Sequence, residues 1–345
     1  MRENVALAPY TTFGIGGPAR WFVEAEDEDT ICDAVMWARD RSMPVFVLGG
    51  GSNLLVSDAG FAGMVLHIAL KGVASADQGE ERIYRVAAGE NWNGFVQRTV
   101  SDGCAGIECL AGIPGTVGGT PVQNVGAYGQ EVAETIERVR VLDLETMRGI
   151  EMTNADCRFA YRSSLFNTTA KGQFLVTRVD YRLKRGGRPS LKYADVRKAF
   201  AADAEPSLAE VAAKVREIRQ SKGMLLVEGD PDCRSAGSFF KNPVISKEYF
   251  ADLTQKLGVG ATRYPAGEGQ VKLPAAWLIE HAGFAKGFSL SESARVTIST
   301  KHTLALVNRG GATATDVLEL RDVLVAGVKA HFGIVLEMEP ILVGF

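Results

Sequence analysis

Hydrophobic and polar positions change their period several times along this chain, and the first third alternates strand and helix patterns. The β-rich residues 20–26 are followed at 27–42 by apolar residues on one helical stripe, with acidic residues in the first turn. Residues 44–53 then form a buried apolar run that ends in glycines. A strand–helix–strand order of this kind favours a parallel pair of strands with a right-handed crossover.

Further strands and helices are predicted by the same periods in the rest of the chain. Strand patterns cover 63–70, 82–90, 138–144, 174–184, 302–308 and 334–345. Helix patterns cover 91–103, 193–204, 207–223, 247–258, 274–284 and 315–333. Asn91 or Asn93 caps the first of these helices, and Ser207 with Glu210 has the spacing of a capping box.

Composition and charge narrow the class of protein. A chain of 345 residues predicts two or three domains, and 46% hydrophobic with 23% charged residues is ordinary for a soluble globular protein. The net charge of -3, from 38 basic and 41 acidic residues, does not favour a general nucleic-acid binder.

The cysteines and the apolar segments indicate a compartment. Five cysteines are scattered without a C-x-x-C pair, so neither a zinc site nor a dithiol is expected, and reduced thiols fit a reducing compartment. The first residues lack the apolar core of a signal peptide, and no run of about 18 apolar residues occurs. We therefore expect a cytoplasmic protein with no metal site and no membrane insertion.

Three glycine clusters carry the first candidate chemistry. Residues 14–19, "GIGGPA", formally match a dinucleotide fingerprint, but no clear strand precedes them and a strand rather than a helix follows. Residues 45–56, "VFVLGGGSNLLV", are typical either of an anion-binding nest of backbone N–H groups or of a tight strand exit. The long glycine-rich loop at 111–129 can pack through its valines and leaves room for a large flat ligand. Two such loops in one domain indicate a dinucleotide bound without a Rossmann fingerprint.

The stretch "RSAGSFFKNP" at 234–243 raises a separate question. A turn does not need a serine followed by two aromatic residues, a lysine and an asparagine. Ser238 is therefore a candidate nucleophile, proton donor or phosphate ligand, besides being a serine that merely fits.

Eight short motifs together resemble the UDP-N-acetylenolpyruvoylglucosamine reductase (MurB) family, the flavoenzymes of peptidoglycan precursor synthesis. In chain order they are "TTFGIGGPA", "LGGGSNLLV", "AGIPGTVGGTPVQNVGAYG", "YRSSLF", "RSAGSFFKNP", "KLPAAWLIE", "STKHTLALVN" and "LEMEP". They run nearly end to end, and eight of them in the family order are specific where any one would be weak. Within the family, "LKYADV" resembles the class with an inserted substrate-closing tyrosine loop.

The resemblance implies an α+β fold of the vanillyl-alcohol oxidase (PCMH) flavin-binding type in two subdomains, with a separate α/β substrate-binding domain. It assigns subdomain 1 to residues 1–72, joined by the C-terminal strand at 333–345, and subdomain 2 to residues 73–226. The substrate-binding domain is assigned to residues 227–332. Noncovalent FAD is expected, because the "GGGSN" loop has no histidine or cysteine to tether a flavin, and NADPH is the implied reductant.

The implied reaction reduces the enolpyruvyl ether of UDP-N-acetylglucosamine to the lactyl ether of UDP-N-acetylmuramate. It needs positive charge beside a developing enolate and one proton delivered to carbon. The family's flavin-binding positions match Gly49, Gly50, Gly51, Ser52, Asn53, Leu54, Gly115, Thr116, Gly118 and Gly119.

Three residues match the family's catalytic positions. Arg162 in "YRSSLF" matches an arginine, whose fork binds carboxylates and stays protonated, and Ser238 matches the proton donor. The third member is a carboxylate near the C-terminus, where the family usually reads "LEPEV" and this chain reads "LEMEP". Position-by-position matching selects Glu339, although Glu337 would face the same side of a strand.

The match also points to substrate-binding residues, namely Tyr193, Lys222, Asn242 and His302. A lysine neutralises a diphosphate as a point charge, and an asparagine both donates and accepts. The chain departs from the family at His302, where better-known members carry glutamine. An exposed lysine, a half-buried tyrosine and a capping asparagine are the ordinary structural alternatives.

Other classes of function stay open from the residues alone. A hydrolase or acyltransferase with Ser238 as its nucleophile would want G-x-S-x-G, and "AGSFF" lacks the second glycine. A related FAD-dependent oxidase or dehydrogenase, acting on another small or sugar substrate, would share the glycine loops but not "RSAGSFFKNP". A binding module without catalytic activity would share the fold.

Overall fold

The computed structural model describes residues 1–257, 260 and 262–345, and their elements are those of an α+β protein. The helices are α1 (Glu28–Arg39), α2 (Trp92–Ser101), α3 (Ala194–Arg197), α4 (Leu208–Ser221), α5 (Lys247–Leu257), α6 (Ala275–His281) and α7 (Ala314–Phe332). The strands are β1 (Arg2–Ala6), β2 (Pro18–Ala25), β3 (Val45–Leu48), β4 (Leu54–Val56), β5 (Phe61–Ile68), β6 (Val73–Gln78), β7 (Glu81–Ala87), β8 (Cys104–Ala105), β9 (Gly126–Ala127), β10 (Gln130–Glu131), β11 (Ile136–Asp143), β12 (Arg148–Thr153), β13 (Phe174–Arg185), β14 (Val244–Ser246), β15 (Tyr264–Pro265), β16 (Gln270–Lys272), β17 (Val296–Ile298), β18 (Leu306–Asn308) and β19 (Ile341–Val343).

The chain forms two compact units, each built from separate segments. The first unit comprises Met1–Val5, Ala19–Gly51 and Ala62–Ser221. The second unit comprises Ala6–Pro18, Ser52–Phe61 and Lys222–Phe345. The finer division of the flavin-binding part at residues 72 and 226 stays a prediction.

Two larger sheets organise the first unit. One has the strand order β1-β2-β5-β3, and the other has the order β12-β11-β13-β7-β6 with β8 paired to β13. β3 and β5 are parallel, and β5 lies between β2 and β3. The sequence pattern favours a direct pair of the two strands that flank α1, and in the structure these strands are not neighbours. Met64, Val65 and Leu66 of β5 are fully buried, and a strand buried on both faces takes a central position.

Aromatic rings join α2 to the larger sheet. Phe95 of α2 and Tyr181 of β13 have ring centroids 5.1 Å apart, and Trp92 lies 5.8 Å from Tyr181. The side chain of Asn91 accepts a hydrogen bond from the Gly94 N–H at 2.8 Å. Of the two predicted caps, Asn91 is therefore the one that begins α2.

The second unit packs α5, α6 and α7 around a core of its own. Its sheets are β14-β16-β15, β17-β18 and the parallel pair β4-β19. Phe239 and Phe240 are among its largest fully buried side chains, with ring centroids 5.3 Å apart. The two aromatics of "RSAGSFFKNP" therefore anchor that stretch in the core.

Two predicted elements are shorter than the sequence pattern indicates. The helix predicted at 193–204 is a single turn, α3, in which only Val196 is buried, and a short helix without an apolar face is marginal. The last strand begins at Ile341, because Pro340 has no N–H for a ladder. Gly258, which ends the helix predicted at 247–258, lies outside the described residues.

Candidate active site

The two predicted flavin loops of the first unit lie against each other. A Cβ on Gly50 would lie 2.8 Å from the carbonyl carbon of Gly115 and 3.0 Å from the nitrogen of Thr116. A Cβ on Gly49 would lie 2.9 Å from Thr116 Oγ1. Because only glycine permits this approach, residues 49–51 and 115–116 form one continuous backbone surface.

This surface has the donors that a pyrophosphate needs. Among the described residues, none accepts a hydrogen bond from the N–H groups of Gly50 or Gly51. Gly51 has φ of +60°, which turns the chain after β3. A Cβ on Gly119 would meet no atom of the described residues within 4 Å, so the second loop borders open space there. Backbone donors beside open space fit the pyrophosphate of a dinucleotide.

Hydrogen bonds to α2, to β13 and to the residue after β7 hold the second glycine loop. The N–H of Gly118 donates to the carbonyl of Ala88 at 2.8 Å, and the N–H of Trp92 donates to Gly115 at 3.1 Å. The hydroxyl of Thr120 lies 2.6 Å from the hydroxyl of Tyr181. The loop is therefore preorganised, which favours its use as a binding surface.

Arg162 lies in the first unit on a tight turn. Its φ of +52° is in the left-handed region, which is uncommon for a residue with a side chain. Its Nη2 donates to the carbonyl of Gly126 at 2.9 Å, and its guanidinium lies 5.3 Å from the ring of Tyr161. Arg162 is half-buried as a residue, and its guanidinium fork suits the binding of a carboxylate.

Tyr193 precedes α3 in the first unit and is 39% exposed. Its ring meets the ring of Tyr128 edge to face, with centroids 5.3 Å apart. The sequence analysis does not predict Tyr128, although one large aromatic residue within a loop of small ones was an available signal.

Tyr128 also lies beside a buried arginine. Burial lowers the pKa of Arg219, and the neighbouring Tyr128 opposes that shift.

In the second unit, the turn that carries Ser238 is joined to the C-terminal segment. The N–H of Glu339 donates to the carbonyl of Phe239 at 2.9 Å, and the N–H of Lys241 donates to the carbonyl of Glu337 at 2.9 Å. Ser238 is half-buried, and the N–H of the preceding Gly237 donates to Ser235 Oγ at 3.2 Å. Backbone pairing thus brings Ser238 and Glu339 into one neighbourhood.

The two candidate carboxylates have different environments. The side chain of Glu337 is 76% exposed and forms an ion pair with Lys241 at 3.6 Å. Glu339 is half-buried, and its carbonyl accepts from the side chain of Asn53 at 3.3 Å. Asn53, a predicted flavin-loop residue, in turn accepts from the N–H of Ile341 at 3.0 Å. The exposed, paired Glu337 is the solvated acid of the two.

Lys222 and His302 lie near each other in the second unit. Burial is the largest cause that lowers the pKa of His302 to about 4, and the nearby ammonium groups of Lys222 and Lys286 contribute to the same shift. The N–H of Leu304 donates to His302 Nδ1 at 3.0 Å, so the neutral ring carries its proton on Nε2. The ring presents one N–H donor beside two positive charges, a combination that suits an anionic ligand.

Asn242 is partly committed to the fold. Its Oδ1 accepts from the N–H of Ala275 at 2.9 Å and so fixes the start of α6.

A buried carboxylate, Asp232, accepts from Thr300 Oγ1 at 2.7 Å and from Arg309 at 3.0 Å. Asp232 thereby ties the segment that precedes Ser238 to the one that carries His302.

Similarity to known proteins decides the family. Residues 19–147 match the family described as FAD binding domain, and residues 230–343 match the family described as UDP-N-acetylenolpyruvoylglucosamine reductase, C-terminal domain. A UDP-N-acetylenolpyruvoylglucosamine reductase of Thermobifida fusca is 44% identical over 99% of this chain and 98% of its own length. The chain belongs to the UDP-N-acetylenolpyruvoylglucosamine reductase family.

Other members of the UDP-N-acetylenolpyruvoylglucosamine reductase family agree. The protein of that name from Streptomyces coelicolor is 44% identical over 99% of this chain and 90% of its own length. The crystal structure of the reductase from Thermus caldophilus has a TM-score of 0.67 and 28% identity, and covers 99% of this chain and 98% of that one. The resemblance drawn from eight motifs and the α+β flavin-binding fold are confirmed.

The described residues show neither a membrane-spanning helix nor a metal-binding cluster. None of their helices combines the length and apolar character needed to cross a membrane. Nor do they contain a group of three or more histidine, cysteine or acidic side chains arranged to hold a metal ion.

Proposed function

We propose that Ser238, Arg162 and Glu339 carry the chemistry of this reductase. The enzyme is an FAD-dependent oxidoreductase that converts UDP-N-acetylenolpyruvoylglucosamine to UDP-N-acetylmuramate, with NADPH as the reductant. FAD held by the glycine loops at 49–54 and 115–119 would supply hydride chemistry at the terminal carbon of the enol ether, with NADPH as the source of the hydride. The chain itself must bind the nucleotide-sugar, stabilise negative charge on the neighbouring carbon, and deliver one proton there.

The pairing of residues 239–241 with 337–339 is the observation that carries the proposal. It joins the turn of Ser238 to Glu339 through a hydrogen bond of 2.9 Å between the Glu339 N–H and the Phe239 carbonyl. A serine hydroxyl is a weak acid, so it needs a second group that restores its proton. We assign the proton donation to Ser238 Oγ and the resupply to the carboxylate of Glu339.

Arg162 suits the stabilisation of the developing enolate. As hydride adds to the terminal carbon, negative charge spreads over the neighbouring carbon and its carboxylate. A guanidinium whose direction is fixed by the Gly126 carbonyl stabilises that charge without reorganising.

The substrate-binding roles rest on charge and donors. We assign Lys222 and the Nε2–H of His302 to the anionic diphosphate, since both the ammonium group and the neutral ring can donate. The Nδ2 of Asn242 is assigned to the nucleotide-sugar, because its Oδ1 already binds Ala275. Tyr193, which packs on Tyr128, is assigned to cover the substrate.

The glycine loops are assigned to FAD. Within the described part of the chain, the N–H groups of Gly50 and Gly51 donate to no acceptor and a Cβ on Gly119 would face open space, and both observations support a role in holding its pyrophosphate. The same role extends by family matching to Gly49, Ser52, Asn53, Leu54, Gly115, Thr116 and Gly118. A cytoplasmic location is part of the proposal, because all five cysteines are free thiols.

The test of Ser238 separates the two half-reactions. With Ser238→Ala, the flavin should be reduced by NADPH at close to the normal rate, since no proton to substrate carbon is needed there. Reoxidation by UDP-N-acetylenolpyruvoylglucosamine should slow by about 10²–10⁴-fold, the usual contribution of a general acid. Stopped-flow absorbance at the flavin band measures both steps.

Two further variants complete that test. Ser238→Cys should keep part of the reoxidation rate, because a thiol also donates a proton. Ser291→Ala, which changes an exposed serine of the same unit, should behave as the unmodified enzyme. If Ser238→Ala reoxidises at the normal rate, the proton comes from another group.

A further inference from the structure

Arg162 is held from two sides within the first unit. On the backbone side, the turn that carries it closes through two hydrogen bonds, from Ala160 N–H to Ser163 at 2.9 Å and from Ser163 N–H to Ala160 at 3.1 Å. On the side-chain side, its Nη2 donates to the carbonyl of Gly126. The direction of the guanidinium depends on how these two segments sit with respect to each other.

Asn124 bridges these segments. Its Nδ2 donates to the carbonyl of Ala160 at 3.0 Å and to Glu131 Oε2 at 2.8 Å, and its Oδ1 accepts from the N–H of Ala133 at 3.1 Å. Asn124 is 1% exposed. One buried amide thus contacts the turn of Arg162 and the far arm of the β9–β10 hairpin.

The β9–β10 hairpin supplies the carbonyl that accepts from Arg162. In the hairpin, Glu131 lies directly opposite Gly126. A Cβ on Gly126 would lie 2.7 Å from Glu131 Cγ and 3.4 Å from Arg162 Nη1. Moving Glu131 therefore moves the carbonyl that orients the guanidinium.

From this arrangement we propose that Asn124 is the positioning residue for Arg162. It clamps the Ala160–Ser163 turn to the hairpin at Gly126 and Glu131, and so fixes the guanidinium where enolate charge develops. The inference rests on the proposed function of Arg162. It adds that the reaction rate depends on a buried amide whose side-chain hydrogen bonds go to Ala160, Glu131 and Ala133.

The backbone of Asn124 explains why an asparagine is needed. Its φ of +45° is in the left-handed region, which asparagine and glycine tolerate better than other residues. Glycine would keep the backbone but lose the three side-chain hydrogen bonds. Aspartate would place a second carboxylate against Glu131 and the carbonyl of Ala160, so that three acceptors would share no donor. Only asparagine satisfies the backbone and the contacts together.

The test is a double-mutant cycle on FAD-loaded enzyme, read as the single-turnover rate of flavin reoxidation by UDP-N-acetylenolpyruvoylglucosamine. Asn124→Gly should slow this rate by about 10–100-fold, the usual cost of a misplaced catalytic group. Flavin reduction by NADPH should change less than about threefold. In an Arg162→Ala background, adding Asn124→Gly should cost less than about threefold, because coupled residues are non-additive.

Asn154→Ala is the matched control. The Nδ2 of Asn154 also donates hydrogen bonds to two carbonyls of the first unit, those of Ala133 and Ile136, each at 2.8 Å. Its loss should leave both half-reactions within about twofold of the normal rates. Glu131→Gln keeps an acceptor for Asn124 and should retain most of the rate.

Each failure has a distinct meaning. If Asn124→Gly reoxidises normally, or loses as much in the Arg162→Ala background as alone, the positioning role is wrong. If Arg162→Ala itself reoxidises normally, the proposed function of Arg162 is wrong instead. If Asn124→Gly does not fold, Glu131→Ala is the second variant, because it removes the carboxylate that accepts from Asn124. It should slow flavin reoxidation several-fold when Arg162 is present and have little effect in the Arg162→Ala background. An equal loss in both backgrounds overturns the inference.

Discussion

At the scale of single residues, the protonation state of His302 depends on its surroundings in the fold as well as on the residue type. The sequence identifies a histidine where the family usually has glutamine, and predicts a substrate contact. It does not predict the protonation state, which follows from burial and from Lys222 and Lys286 on other segments. With Nδ1 occupied by the Leu304 N–H, the neutral ring acts like an amide donor at Nε2.

This environment predicts a pH dependence of stability. Because the folded pKa lies near 4 and the ordinary value is 6.5, the unfolded chain binds the proton first as the pH falls. His302 therefore stabilises the fold fully above pH 6.5, and that stability is lost between pH 6.5 and 4. Between pH 7 and 4.5 the loss should be about 2 kcal/mol.

Urea unfolding of the unmodified enzyme and of His302→Gln at both pH values measures this contribution. The variant should lose about 2 kcal/mol less of its unfolding free energy over the interval. Equal losses in the two proteins would mean that the ring is not held neutral.

At the scale of elements, capped helices follow the sequence closely. α4 has the predicted box, with Ser207 Oγ accepting from the Glu210 N–H at 3.2 Å. α3 and β19 are shorter than predicted. Helical period and apolar content predict that an element can form, but they do not show whether a neighbouring surface is available for it to pack against. The choice between Glu337 and Glu339 is of the same kind. Alternation gives both one face, and the difference lies in exposure and contacts: Glu337 is 76% exposed and paired with Lys241, whereas Glu339 is half-buried.

The second glycine loop gives an element-scale prediction. A Cβ on Gly119 meets no atom within 4 Å in the part of the chain that the structure describes, so Gly119→Ala should fold normally. If the loop holds the FAD pyrophosphate, the methyl group should displace a charged acceptor from its donors, at a cost of about 1.5–3 kcal/mol. The dissociation constant for FAD should rise about 10–100-fold, measured by flavin fluorescence on titrating apoenzyme.

Gly94→Ala is the matched control in the same unit. It adds a methyl group to an exposed position of α2 with ordinary contacts, and should leave FAD affinity unchanged. An unchanged affinity in Gly119→Ala as well would place the pyrophosphate elsewhere.

At the scale of the whole molecule, the sequence identifies the family, because eight motifs keep their order, and through the family it predicts the residues of the candidate site. It does not identify the residues that hold the site, such as Asn124 and Asp232. Their partners lie far away in sequence, and a lone asparagine or aspartate has no pattern to distinguish it. The division into two units, each assembled from separate segments, is likewise invisible to local periodicity.

The flavin assignment gives a prediction for the intact protein. The purified enzyme should be yellow and should release FAD on denaturation. Adding FAD to apoenzyme at 100 times its dissociation constant should raise the unfolding free energy by about 2.7 kcal/mol, measured by urea unfolding. A colourless protein whose urea midpoint does not move with FAD would contradict the cofactor assignment.

The parallel pair β4-β19 has a consequence for synthesis on the ribosome. β4 leaves the exit tunnel long before its partner β19, so Leu54 to Val56 stay unpaired until that distant segment is made. Pairing between such distant segments makes folding slow. The second unit therefore completes only after its C-terminal segment is made, and the nascent chain exposes an apolar strand that invites chaperone binding until then.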